Sequence, residues 1–441
     1  MREDIEKFFL ERGCLVEERV IEEIERRGGI EYVIRNEGRL DFSGPVFSLE
    51  RLPPVNDFSI VKEFNIEGYP GVSDSFVDIF RSRYHFLHEK LNTRSSSYRF
   101  TPISKLKKTG GVVFGSGMVS DVSETKKGFK IVEVEDDESA IKIILPKNFK
   151  DIIIRDEVSG FSGRFSREGE AIFVDNIYHP EVSIEQRKFN YGVKVLVVSD
   201  IHVGSKKFMK DSFLNMVDYV NSEGIQFVIM NGDLVDGIGV YPDQESDLEI
   251  KDINLQYKEL ANLLSKFGAQ TRVVLIPGNH DIVYPMEPQN PLPKYIANLF
   301  PNNVISLSNP VWIQIAGRTF LLYHGTSIFD FLESIPGSTL NDTAKVMSEM
   351  LKRGHLAPEY GRNLSFIPLK TDYYLIDPVP DVLVTGHVHD HSVITFRGIL
   401  GVNGSTFQEQ TAYQRMMNFN PKPAIGTVIN TSDLSYETVK F

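Results

Sequence analysis

The spacing of apolar residues divides the chain into stretches of different rhythm. In the first, residues 1–36, Ile5, Phe8 and Phe9 share one helical face. Gly13 interrupts, and Val16, Val20, Ile21 and Ile24 resume the spacing until Gly28-Gly29 ends it. This predicts short helices forming a small unit that docks on something else. The rhythm fades over residues 37–72, where Pro45, Pro53, Pro54 and Pro70 accumulate, and the segment reads as a linker with some ordered contacts. An amphipathic helix opens the next stretch, residues 73–185. Ser73 can cap it, and Phe76, Phe80, Tyr84, Leu87 and Leu91 form its apolar stripe. Short β-patterned runs follow at Val112–Val119, Phe129–Val134, Ala140–Leu145, Glu157–Phe165 and Ala171–Ile177, with turns rich in Gly, Lys and Asp between them. Such runs predict a small barrel, of which the oligonucleotide-binding (OB) type is the commonest design.

Residues 190–441 alternate strands with helices. Strands are predicted at Val193–Val198, Ile225–Met230, Arg272–Ile276, Val311–Ile315, Thr319–Tyr323, Val382–Thr385, Val393–Phe396 and Ile399–Val402, with helices at Lys206–Asn221 and Leu248–Phe267. Early βαβ units followed by hairpins predict an α/β fold, a two-sheet sandwich rather than one doubly wound sheet.

Composition narrows the class only a little. A chain of 441 residues exceeds one ordinary core. No apolar run is long enough to cross a bilayer, and the charged start at Met1-Arg2-Glu3-Asp4 is unlike a signal peptide. The single cysteine, Cys14, excludes an internal disulfide, fits a cytoplasmic protein and reads as a packed side chain. The formal charge of −12 argues against coating nucleic acid by broad electrostatics. It leaves a nuclease open, because divalent cations reverse the sign of a carboxylate-rich site.

The chemistry gathers where strands of the last stretch end. Ser199-Asp200-Ile201-His202 follows the first strand, Asn231-Gly232-Asp233 the second and Gly278-Asn279-His280-Asp281 the third. Tyr323-His324-Gly325 and Gly386-His387-Val388-His389 follow later ones. Strand ends are where open α/β sheets place their sites, and an apolar strand has no packing reason to end in Asp-x-His. Carboxylate and imidazole donors without cysteine suit Mn, Fe, Zn, Mg or similar ions and argue against a structural zinc site. Asp233 can bridge two cations, whose shared hydroxide is a natural nucleophile for phosphorus. His280, beside Asn279, is placed to give the leaving oxygen a proton. Two other patterns are discounted. Gly110-Gly111 with Gly115 and Gly117 lacks the Lys-Ser/Thr of a phosphate loop and reads as strand-bend glycine, and His85 with His88 reads as surface.

This set of motifs resembles the calcineurin-like metallophosphoesterase superfamily. The resemblance implies one metal held by Asp200, His202 and His389, another by Asn279, His324 and His387, a bridging Asp233, and His280 as the catalytic histidine. Asp236, in Gly232-Asp233-Leu234-Val235-Asp236, receives no ligand role; Asp281 and His391 are expected to support the ligands or to lie in loops.

Further residues are similar to the small-subunit family of archaeal family D DNA polymerases. They are Glu287-Pro288-Gln289, the run Lys352-Arg353-Gly354-His355-Leu356-Ala357-Pro358, Tyr360-Gly361, and the stretch Asn403 to Ala424. That resemblance covers about Phe76 to Ala424. It implies a 3′→5′ exonuclease acting on DNA ends, partnered by a large polymerising subunit. The related small subunits of eukaryotic replicative polymerases have lost the ligands, whereas here all eight positions are kept. Phe407 stands where the family tends to have Trp, and the region before the barrel is short. Two alternatives stay open, a self-sufficient phosphodiesterase of small nucleotides and a non-catalytic binding subunit. For the barrel, Phe114, Phe129, Lys130, Phe161, Arg164 and Phe165 could face nucleic acid, but core or subunit contact is the expected role.

Overall fold

The computed structural model describes the chain except at residues 1, 27–28, 38–39, 53–57, 67–73, 94–96, 108–109 and 186–191. Ser73, and with it the predicted helix cap, lies outside the described residues, as do Gly28, Pro53, Pro54 and Pro70.

Helices Arg2–Leu10, Glu18–Arg26 and Ile30–Arg35 collect Ile5, Phe9, Val20 and Ile24 into a core. Val16, helical by its spacing, lies instead in a short strand, Leu15–Val16, that pairs in parallel with Val46–Phe47. Phe47 stands 4.7 Å from Phe9, ring centre to ring centre, so this core reaches beyond Asn36. Packing across that sequence distance leaves no local periodicity to read. Cys14 is buried, with Sγ 2.9 Å from the Gly44 carbonyl oxygen.

The segment read as a linker also contributes structure. Phe58–Lys62 pairs antiparallel with Val311–Ile315, and the Lys62 ammonium sits 4.4 Å from the Trp312 ring centre. Five residues at a sheet edge, only partly buried, are too few to announce themselves by alternation.

The predicted barrel strands form at Val113–Glu124, Lys130–Glu135, Ala140–Ile144, Val158–Phe165 and Ala171–Tyr178. Closure comes from antiparallel pairing of Val113–Glu124 with Val158–Phe165, while Ala140–Ile144 runs parallel to Ala171–Tyr178. Gly115 is required by space: a β-carbon there would lie 2.4 Å from the Phe161 ring. Phe161 is fully buried in the barrel, Phe165 packs against the same core, and Phe114 stacks on Tyr98 at 4.5 Å.

Helix Asp74–Thr93 lies against this barrel through Tyr84, Leu87 and Leu91. Its Arg83 is wholly buried and donates to Asp372 Oδ2 (2.7 Å) and to the carbonyls of Asp156 (3.0 Å) and Pro358 (2.5 Å). Barrel and C-terminal region are therefore joined by a desolvated charge pair, with His355 on the same carboxylate at 2.9 Å.

In residues 190–441 one six-stranded sheet runs in the order Val304–Ser306, Arg272–Ile276, Phe227–Asn231, Lys194–Val198, Ile425–Asn430, Tyr436–Lys440. A second runs His391–Phe396, Ile399–Gly404, Val382–Thr385, Arg318–Leu322, Val311–Ile315, Phe58–Lys62. Val195, Ile229 and Ile276 from the first pack against Ile313, Phe320 and Val384 from the second. The outer face of the first is covered by helices Lys210–Ser222 and Ile253–Leu264, that of the second by Ile328–Ser334 and Thr343–Arg353. Both early helices start later than their apolar spacing predicts. Asp252 caps one by accepting from Asn254 N and Leu255 N. Before the other, Phe208 is drawn into a bridge with Gln408. Among the described residues no helix is long and apolar enough to cross a membrane.

Candidate metal centre

Adjacent strand ends of both sheets bring the sequence-predicted residues together. Asp200, His202 and His389 form one cluster of donor atoms, and Asp233, His324 and His387 another. The turns that do this are strained. Asp200 (φ 53°), His202 (55°), Asp233 (49°), His387 (71°) and His389 (51°) all lie in the left-handed region, which Asp and His tolerate better than most residues. Bonds across the two loops hold them there, Asp200 N to Gly232 O (3.0 Å) and His202 N to Asp233 O (3.0 Å). Close approach also needs Gly386, where a β-carbon would fall 2.0 Å from Ser199 Oγ and 2.7 Å from Asp200 Oδ2.

Three of the imidazoles are aimed by their second nitrogen. His202 Nδ1 meets Asp236 Oδ1 at 3.0 Å and His324 Nδ1 meets the Asn231 carbonyl at 3.0 Å. These acceptors take the Nδ1–H and leave Nε2 as the nitrogen that faces inward. His389 is held through Nδ1 by the Gln414 side-chain amide at 3.0 Å. The inward atoms crowd one another: His202 Nε2 to His389 Nε2 is 3.0 Å, His324 Nε2 to Asn279 Oδ1 3.2 Å, and His324 Nε2 to His387 Nδ1 3.2 Å. Asp200 Oδ2 is saturated by Ser199 Oγ and by the His387 N–H at 2.9 Å. Its other oxygen, Oδ1, is buried without a hydrogen-bond partner and lies 3.4 Å from His389 Nε2 and 4.0 Å from His202 Nε2.

An orphaned carboxylate oxygen facing inward imidazole nitrogens fits a divalent cation. Asp233 Oδ1 accepts the His280 N–H (2.9 Å), while Oδ2 stands between the clusters, 3.4 Å from His324 Nε2 and 3.9 Å from His202 Nε2. Burial works against its charge, yet His324, His280 and His202 together hold the carboxyl well below the ordinary range. Burial likewise opposes a charged His324, but Asp233 and Asp200 lift it to about 10. Burial, reinforced by the His324 charge, pushes its neighbour His387 down to about 3.

A relative from Thermoplasma acidophilum, named DNA polymerase II small subunit, is 37% identical over 440 residues, covering 96% of this chain and 90% of its own length. The chain belongs to the DNA polymerase II small-subunit family. Another relative with that name, from Methanocaldococcus jannaschii, is 37% identical over 381 residues, covering 82% of this chain and 64% of itself. The family model for the B-type subunit of DNA polymerases alpha and epsilon matches residues 195–393. Among solved structures, that of a novel archaeal phosphodiesterase superposes over 56% of the chain at 12% identity and a TM-score of 0.30, which is too low to carry an argument.

In this member of the family, His280 lies beside the clusters, with Nδ1 2.7 Å from the Asp236 carbonyl and Nε2 3.9 Å from Asp233 Oδ2. Asp236, given no part by the motif, orients both His202 and His280. Asp281 accepts from Gly278 N (2.9 Å), Leu234 N (3.1 Å) and Tyr257 Oη (2.8 Å), tying the loops of Asp233 and Asn279 together. Burial and the Asp233 charge raise it to about 6. His391 bonds Thr427 at 2.9 Å and joins none of the clusters, and His85 and His88 pair with Asp137 and Ser116.

Several contributors escaped sequence reasoning. Gln408 and Gln414 back Asp236 and His389. Glu287 and Gln289 engage Asn309, whose Oδ1 accepts the His324 N–H at 2.9 Å. The Glu287-Pro288-Gln289 and Asn403–Ala424 motifs were visible as motifs, but nothing in their spacing says which ligand each supports.

Proposed function

We propose that this chain is the 3′→5′ exonuclease subunit of a two-subunit DNA polymerase, hydrolysing DNA phosphodiesters at 3′ ends. The observation that carries the reading is the position of Asp233 Oδ2 between two clusters of inward donors, one of which contains an unpartnered buried carboxylate oxygen. Asp200, His202 and His389 would hold one cation, Asn279, His324 and His387 a second, with Asp233 shared. When bound, such ions supply Lewis acidity, lowering the pKa of water and neutralising charge on phosphate oxygens.

The chain's own residues do the rest. Strained turns preset the donors, and Asp236, Asn231 and Gln414 fix their orientation. His280 gives its Nδ1–H to the Asp236 carbonyl, which fixes the ring with Nε2 facing the cleft, where it would hand a proton to the departing oxygen. Membership of a small-subunit family implies a large catalytic partner. A chain of net charge −12 can rely on that partner for its electrostatic grip on DNA. The closed barrel, read as OB-type, buries Phe161 in its core and packs Phe114 beside the neighbouring helix, which favours a packing role.

The test is incubation of purified chain, alone and with the large subunit, with Mn²⁺ and three substrates: a labelled single strand, a cyclic nucleotide and a chromogenic phosphate monoester. Release of 3′-terminal nucleotides from the single strand is expected. Cleavage of the small substrates alone would sink the polymerase reading. No cleavage under either condition would make the chain a scaffold.

A further inference from the structure

The donor clusters form only one side of the cavity they occupy, which has a volume of about 330 Å³. The facing wall is apolar and aromatic, built from Tyr241, Tyr413, Phe329, Leu340, Met417 and Phe419. These rings adjoin the metal-site histidines directly. Phe329 meets His387 edge-on at 5.1 Å between centres, Phe419 meets His389 at 5.8 Å, and Tyr241 lies 6.3 Å from His280. Tyr241 and Tyr413 stack on each other at 5.0 Å and 25°, a rigid aromatic edge on which Tyr413 is 37% and Met417 57% exposed.

We infer that this wall is a nucleobase subsite, which stacks the base of the terminal nucleotide while its phosphate sits at the histidines. The inference rests on the phosphodiesterase reading and adds what the site holds besides phosphate. Two observations choose a base over other occupants. Among the described residues lining the cavity there is no Lys or Arg, so the wall offers nothing to a second phosphate. Its polar side chains are already engaged with one another: Gln414 Oε1 takes the Thr411 N–H (3.0 Å), Gln414 Nε2 reaches Gln408 Oε1 (3.2 Å), and Gln408 Nε2 is spent on Ser205 and Asp236. Neither glutamine amide is left free to read a base edge. Stacking accepts any base, because every base has a π-face. The subsite therefore selects an unpaired base without selecting its identity.

The test uses the full chain with Mn²⁺ and single strands ending in each of the four nucleotides or in an abasic tetrahydrofuran residue. Removing the base is expected to lower kcat/KM roughly 5- to 150-fold, the worth of one stacked base. The four natural termini are expected to differ less than that. Tyr413→Ala is expected to impose a comparable loss on natural ends and no further loss on the abasic end, with Tyr413→Phe restoring the difference. Equal losses on both substrates would make Tyr413 merely a support for Gln414 and overturn the subsite, as would a wild-type chain indifferent to the base. If the wild type cleaves no DNA at all, the nuclease reading falls instead. Titration of thymidine monophosphate against deoxyribose 5-phosphate then decides the subsite: tighter nucleotide binding lost in Tyr413→Ala upholds it, and equal affinities overturn it.

Discussion

Replacing Asp236 with Asn tests whether the centre depends on groups behind the ligands. Asp236 is fully buried and every group around its carboxylate is a donor: His202 Nδ1 at 3.0 Å and Gln408 Nε2 at 2.8 Å on Oδ1, and Gln244 Nε2 at 3.2 Å on Oδ2. An amide in its place removes the anion and must point its NH₂ at one of these donors. Leaving a buried donor unmatched costs about 1–3 kcal/mol of stability. Losing the anionic acceptor of a ligating histidine typically weakens a cation by about 10- to 100-fold, equivalent to roughly 1.4–2.7 kcal/mol. The loss is expected to be confined to the cluster of Asp200, His202 and His389, since Asn279, His324 and His387 make no hydrogen bond to Asp236. Calorimetric titration of metal-stripped chain with Mn²⁺ reads this as one weakened and one unchanged binding event, and melts in chelator report the stability term separately. Affinity within twofold of wild type would refute the tautomer argument. Simultaneous weakening of both events would refute the division into two clusters.

Three further outcomes are expected. His280→Ala keeps its metal content while hydrolysis falls by about 100-fold or more, whereas Asp233→Ala loses metal as well; elemental analysis beside the nuclease assay separates them. Arg83→Met strands the buried Asp372 carboxylate and is expected to cost about 3–5 kcal/mol, seen in denaturant melts with the metal content unchanged. Burial opposes the Asp372 charge, but His355 and Arg83 hold its carboxyl below the ordinary range. A depressed carboxyl stabilises the fold above its unfolded pKa of about 3.9, and that contribution is lost as pH falls through the folded value. The melting temperature is therefore expected to drop below about pH 4, and Asp372→Asn to flatten that acid limb; an unchanged limb would remove the pair from the account.

The candidate ligands were legible because they break a strong local rule. Val195 to Val198 is uninterrupted apolar strand, and Asp200 with His202 directly after it has no packing purpose, so the chemistry shows against its background. The groups that orient those ligands break no such rule. Gln408 is an ordinary polar residue of a loop and Gln414 one of the short helix Ala412–Met416, and only the return of the chain from Asn403 past Asp200 gives them a task. Arg83 carries no local signal of its own, because its burial depends on a partner almost three hundred positions away. Phe58–Lys62 was hidden for a related reason, since an edge strand is defined by the neighbour it completes.

The left-handed turns at the ligands sit between these cases. Asp and His permit such dihedrals without requiring them, so the motif is compatible with strain but does not announce it. Each strained residue costs of order 1–3 kcal/mol, and five candidate ligands carry that cost beside the packed core between the two sheets. The rigidity then has a function. Donor atoms held within 3.0–3.2 Å of one another by such turns are already gathered where a cation would sit.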